Sequence, residues 1–356
     1  MMGQSKVSFS AEGRRWSKEL ALDLMGLGGL FWLGRRLSSR SVVAITYHRV
    51  LPGKAGIGQS RPSNSLYEDE FERQVAFLTK RYHIVSGDEF ASFVQGRHKL
   101  PPCSVLVTFD DGYENNYTVA WPILRRYGAT GVIFLTTNLI GKPNAALWFD
   151  RLDHLLSVVP RQEIRRWIHS ESMAVKDDME LRVWLKGLAG PDRDRMIDNL
   201  ERQVGHCVSS VAGREQVGLL SWDQVRELVG HGMTMGSHTA THQILSACSP
   251  EYARLELVQS RRRIEDEIGR PCWCFGYPNG QASDFRASDQ QAVRDAGYFC
   301  AFTQMPGYVR RETDRLALPR IPVPDSGDLR IFNYNLSGIG QVVRTLRASG
   351  RLICKG

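Results

Sequence analysis

The chain has 356 residues, of which 42% are hydrophobic and 24% charged, as expected for a soluble globular protein able to bury a large core in one large domain or two smaller ones. Its net charge of +8 favours an acidic neighbour, anionic lipid included; with no zinc finger, recognition-helix signature or aromatic RNA-binding motif, nucleic acid is not expected as a partner. The seven cysteines follow no regular framework and their number is odd, which points to a reducing compartment.

Residues 1–40 read as an N-terminal helical segment. The apolar run Ala21 to Leu33 is flanked by Arg14, Arg15, Lys18, Arg35 and Arg36. It is shorter than the roughly 20 apolar residues of a spanning helix, contains Asp23 and is followed by no small-x-small cleavage site. Docking on the domain or peripheral contact with a membrane surface is expected, in a protein that stays cytoplasmic.

From Ser41 the pattern becomes an alternation of strands and helices. A strand is predicted over Ser41 to Val50, helices over Glu68 to Tyr82 and Glu89 to Val94, and a strand over Val105 to Phe109 with both faces apolar, as in a parallel sheet covered by helices. That strand ends abruptly in Asp110-Asp111-Gly112. Two adjacent carboxylates repel unless a cation or a shared proton separates their roles, and the C-terminal edge of a parallel sheet is where loops build sites. A helix N-terminus would use the same residues, so both readings stand here. A helix over Tyr117 to Tyr127 and a strand over Gly131 to Thr137 follow, and the alternation predicts an α/β fold with a parallel sheet curved into a barrel.

Residues 142–218 break the rhythm, with helical spacing in Trp148 to Leu156, Glu163 to Ile168, Met179 to Leu188 and Arg193 to Val204, and read as a helical insertion. Ser221-Trp-Asp-Gln then fits a capping box for a helix through Val229, and Met233 to Gly236 reads as a short strand. His238 and His242, four apart, would share one face of a helical turn and could grip one metal ion beside a carboxylate. A long helix is predicted over Pro250 to Ile268 with Leu255, Val258 and Ile264 on its apolar side and Gly269 ending it. The next strand, Cys272 to Phe275, exits into Tyr277-Pro278-Asn279-Gly280, a turn able to present a backbone N–H to a developing oxyanion. A helix over Gln290 to Ala296 and strands over Gly297 to Thr303 and Leu318 to Val323 complete the barrel, with Arg320 placed either to orient a carboxylate or a substrate oxygen or to make a structural ion pair at a strand end. Residues 326–356 are read as a helical tail, with a helix around Gly340 to Ala348.

Three motifs in order, Thr108-Phe109-Asp110-Asp111-Gly112, Ser237-His238-Thr239-Ala240-Thr241-His242 and Phe275-Gly276-Tyr277-Pro278-Asn279-Gly280, resemble those of the polysaccharide deacetylases, the NodB-homology group or carbohydrate esterase family 4. The resemblance covers roughly residues 41–325, and implies a distorted (β/α) barrel of the NodB-homology type acting on an N-acetylated carbohydrate. The Tyr47-His48 stretch is similar to the opening of a subgroup that includes poly-N-acetylglucosamine deacetylases, in which the catalytic histidine lies at the front of the chain.

On this resemblance Asp111, His238 and His242 would hold a divalent metal ion, zinc by analogy. Asp110 would be the base, His48 the general acid, and Tyr277, Asn279 and Arg320 would meet the substrate. Many members carry an arginine two positions before the proline of the third motif, where this chain has Gly276, so the orientation of Asp110 has to come from elsewhere. Another metal-dependent sugar amidase or deformylase, or a carbohydrate-binding protein of the same fold, is the alternative function.

Overall fold

The computed structural model describes residues 29–56, 62–171, 174–204 and 218–339. Its centre is an eight-stranded parallel sheet. The strands are β1 (Val43–Tyr47), β4 (His83–Val85), β5 (Ser104–Phe109), β6 (Val132–Leu135), β7 (Thr234–Ser237), β8 (Cys274–Gly276), β9 (Cys300–Phe302) and β10 (Ile321–Pro322). Their order is β10-β1-β5-β6-β7-β8-β9, with β4 beside β5. A bridge between Phe302 and Leu318 brings the approach to β10 against β9, so the sheet curls into a distorted (β/α) barrel.

The period-2 alternation divides the core. Val43, Ile45, Val105, Val107, Ile133, Met235 and Phe275 face outward, onto helix residues that include Phe71, Val75, Val225, Leu228, Leu257 and Val293. Ala44, Leu106, Phe134, Cys274, Cys300 and Phe302 form the inner cluster with Phe90. Because β1 and β5 pair in register from Val43–Val105 to Tyr47–Phe109, the alternation carries on into His48 and Asp110 at the C-terminal rim, on the inner side.

The predicted strand Ser41 to Val50 is two strands. At His48 the chain leaves the barrel, and β2 (Arg49–Leu51) pairs with β3 (Ser65–Tyr67) in a separate two-stranded sheet. The predicted helix Tyr117 to Tyr127 opens as a π-helical turn over Asn116–Ala120 that runs into the α-helix Trp121–Arg126, with Pro122 at the junction. Ser221 and Gln224 form the capping box, each side chain reaching the other's backbone N–H, ahead of helix Trp222–Gly230.

Helix Pro250–Ile268 has its predicted bounds, but its buried stripe is Ala253, Glu256, Leu257, Ser260 and Ile264, while Leu255 is 47% exposed. Leu257 lies on the same stripe as Ile264 and Leu255 does not, which corrects the phase of the predicted apolar face.

The insertion forms helices Trp148–Val158, Arg161–Ser170, Asp178–Lys186 and Gly190–Val204 around a core of its own, including Leu152, Trp167, Leu181 and Leu200. Helix Leu30–Leu37 docks on helix Leu329–Leu336. Phe31 meets Tyr334 edge-on, and Arg35 donates to Asn333 Oδ1 at 2.7 Å. Trp32, Leu33 and Leu37 face solvent. Among the described residues no helix is long and apolar enough to cross a membrane. The run from Ala21 to Gly28 and the predicted helix around Gly340 to Ala348 lie outside the described residues. Cys103, Cys248, Cys272, Cys274 and Cys300 are free thiols, and Cys272 and Cys274 are packed in the core.

Candidate active site

A cavity of about 410 Å³ opens at the C-terminal rim between the barrel and the insertion. His48, Asp110, Asp111, His238, His242 and Asn279 line it, with Gln304 on the barrel side and Trp148, Phe149, Arg182 and Lys186 on the insertion side.

Asp111, His238 and His242 converge there. Nε2 of His238 lies 3.5 Å and Nε2 of His242 3.3 Å from Asp111 Oδ1, and one ligand atom from each residue falls within 4.8 Å of the others. Both Asp111 oxygens are buried and accept no hydrogen bond, an arrangement that costs several kcal/mol unless a cation takes those lone pairs. One carboxylate and two imidazoles form a donor set suited to a first-row divalent ion, with positions left for other ligands. The residues present therefore fit such an ion.

Local backbone and partners set the donors. Nδ1 of His238 bonds the Gly276 carbonyl at 2.7 Å, so Nδ1 carries the proton and Nε2 keeps its lone pair. Burial, reinforced by nearby His242 and Arg320 and opposed by Asp110 and Asp111, lowers the His238 pKa to about 4, leaving a neutral imidazole. A Cβ on Gly276 would stand 3.1 Å from His238 Nδ1 and from Phe134, so a side chain here would press on the metal-facing histidine.

The two histidines do not share a helical turn, contrary to the expectation from their spacing. Thr239 and His242 have φ of 64° and 59°, and the loop between them is organised by Glu256, whose carboxylate accepts the N–H groups of Ala240 and Thr241 and the Thr241 hydroxyl, each at 2.9 Å. A charged residue on the buried stripe of a long helix was the available sequence signal for this role. Replacing Glu256 with Ala leaves two buried N–H groups unpaired, and is expected to cost about 3 kcal/mol in urea unfolding and to weaken metal binding. A loss under about 1 kcal/mol would contradict this account of the loop.

Asp110 is 1% exposed and gripped from the inside of the barrel. Arg320 donates to both of its oxygens, Nη1 to Oδ1 at 2.7 Å and Nη2 to Oδ2 at 2.8 Å, and Gln304 Nε2 adds a bond at 2.9 Å. Arg320 is itself anchored on the Thr303 carbonyl and lies over Phe134 and Phe302. Burial would raise the Asp110 pKa, but Arg320, with help from His238 and His48, outweighs it and holds the carboxyl below its ordinary range. Asp111 is likewise held low, burial being offset by His242, His48 and His238. His48 is partly exposed, with Nε2 4.0 Å from Asp110 Oδ2 and its carbonyl fixed by Asn116.

Two expected substrate contacts are corrected. Arg320 is fully buried and spends its guanidinium on Asp110, so it orients that carboxylate and does not reach the cavity. Tyr277 shares the outward face of β8 with Phe275. It is 1% exposed, stacks on Phe285 and donates to the Leu316 carbonyl at 3.0 Å, so it supports the loop from behind. Asn279, with φ of 60°, is at the cavity. Gln304 was missed, although it extends the inward alternation of Cys300 and Phe302 by one step.

Residues 97–300 match the family model described as polysaccharide deacetylase, a span that holds all three motifs and leaves His48 and Arg320 outside. The chain is 23% identical over 256 residues to the Bacillus subtilis protein YxkH, covering 71% of this chain and 64% of that one. It is 29% identical over 122 residues to the poly-β-1,6-N-acetyl-D-glucosamine N-deacetylase of Staphylococcus epidermidis, covering 31% of this chain and 40% of that one. It thus spans less than two thirds of either relative. Among solved structures, IcaB from Ammonifex degensii has the same fold, with a TM-score of 0.54 at 20% identity over 83% of this chain and 97% of that one.

Proposed function

The chain belongs to the polysaccharide deacetylase family, and from that premise we propose that it is a metal-dependent hydrolase removing N-acetyl groups from amino sugars of a polysaccharide or glycan precursor. The observation that carries this reading is the buried, unpartnered Asp111 carboxylate facing His238 and His242, beside an Asp110 held ionised by Arg320.

Asp111, His238 and His242 would hold a divalent ion, zinc by analogy, which when bound would supply Lewis acidity for amide hydrolysis. Asp110 takes the proton from the attacking water. The backbone N–H of Asn279 meets the carbonyl oxygen as charge develops on it. His48 gives a proton to the nitrogen as the carbon–nitrogen bond breaks, releasing acetate and the free amino sugar. Trp148 and Phe149 supply an aromatic wall for the sugar.

Product analysis after incubation with N-acetyl and N-formyl glucosamine oligomers tests the reading. Acetate with a stoichiometric free amine is expected. Formate alone would replace the reading with a deformylase, and binding without turnover with a carbohydrate-binding role.

The solvent-facing Trp32, Leu33 and Leu37, with Arg35 and Arg36 on the same helix, also support peripheral contact with an anionic membrane. Co-sedimentation with phosphatidylglycerol vesicles is expected to weaken in Trp32→Ser; equal sedimentation of both proteins would oppose it.

A further inference from the structure

The helical insertion reaches the rim loops of the site at three places. Asp150, in the first turn of Trp148–Val158, pairs with Arg49 and accepts the Tyr113 hydroxyl at 2.8 Å, and Arg49 Nη2 donates to that same hydroxyl at 2.7 Å. Arg49 follows His48, and Tyr113 lies two residues after Asp111. At the far end of the insertion the Gly190 N–H donates to Gln243 Oε1 at 2.6 Å, next to His242. A Cβ at Gly190 would stand 2.5 Å from that oxygen, so a larger residue here would push the Gln243 amide aside. Between them, Lys186 Nζ lies 2.8 Å from Asp284 Oδ1, while Asp284 Oδ2 accepts the Gln281 N–H at 2.8 Å and the side-chain amide of Asn279.

We propose that the insertion positions the catalytic loops, and that Lys186 is the positioning residue for the Asn279 loop. The consequence falls on that loop because one Asp284 oxygen holds both the Asn279 side-chain amide and the Gln281 N–H. The Asp284 side chain is 3% exposed, and Lys186 is its cationic partner. Without the ammonium, the Asp284 carboxylate loses its charge partner and turns toward water. That turn loosens its hold on Asn279 and Gln281, and with them the N–H aimed at the oxyanion. Lys186 then acts through Asp284. The catalytic part of this inference rests on the role given to Asn279 under Proposed function.

Lys186→Met and Lys186→Arg test it, because the ion pair sits at the partly exposed cavity edge where substitution leaves the core intact. Lys186→Met is expected to lower kcat about tenfold with KM within about twofold, since misplacement of a supporting group shows in turnover, and Lys186→Arg to restore most of the loss. Amide hydrogen exchange at Gln281 is expected to quicken about tenfold or more in Lys186→Met and to return in Lys186→Arg. Unchanged exchange, or a loss residing wholly in KM, would overturn the proposal. Should the wild-type protein release no acetate, the reading of the site fails, and the exchange measurement still decides whether Lys186 holds the loop.

Discussion

Replacing Asp111 with Asn is expected to remove at least about 10²-fold of the metal affinity and about 10³-fold of the turnover while changing the stability of the metal-free protein by less than about 1 kcal/mol. Burial penalises the Asp111 charge, but His242, His48 and His238 offset that penalty, so an amide of the same shape leaves the fold nearly unchanged and takes away the ligand charge. Asn also tolerates the φ of 77° at this position better than other uncharged side chains. Thermal unfolding with chelator and zinc titration calorimetry read the two effects separately. A metal-free variant less stable than wild type by more than about 1 kcal/mol would show that Asp111 has a structural role.

Replacing Arg320 with Met is expected to lower kcat by about 10²- to 10³-fold and to cost about 3–5 kcal/mol of stability, since it leaves Asp110 buried without its bidentate partner. The pH profile distinguishes lost orientation from simple unfolding. In the wild type the folded pKa of Asp110 is depressed, so its contribution to stability is present above the ordinary carboxylate pKa of about 4 and is lost as pH falls through the lowered folded value. In Arg320→Met burial acts with far less opposition and pushes the carboxyl upward. The acid limb of activity is therefore expected to move to higher pH. Arg320→Lys should restore the charge and only part of the rate, because an ammonium cannot make two parallel bonds to one carboxylate. An acid limb unmoved in Arg320→Met would mean that Asp110 is not the titrating base.

The motifs Asp110-Asp111-Gly112 and His238 to His242, and the barrel beneath them, were legible because strand alternation and local turn chemistry are written in contiguous residues. What was illegible depended on contacts between segments far apart in the chain. Arg320 could be expected to orient a carboxylate, but which one depends on a contact across 210 residues, made from the position just before the two-residue strand Ile321–Pro322, where no periodicity sets the phase. Tyr277 belongs to the third motif, yet strand alternation sends it outward with Phe275, away from the site. Spacing suggested a helical turn for His238 and His242, whereas buried Glu256, on the following helix, makes a left-handed loop affordable. The insertion was visible as helices, but its three contacts with the rim, through Asp150, Lys186 and Gly190, pair residues that share no local pattern.

The measurement closest to the central claim is acetate release from N-acetylglucosamine oligomers by the purified protein, before and after chelation and after zinc is restored, beside Asp110→Asn. Release that chelation abolishes, zinc restores and Asp110→Asn lacks is the predicted result. Release that persists through chelation or in Asp110→Asn, or no release from folded, metal-loaded protein, would contradict it.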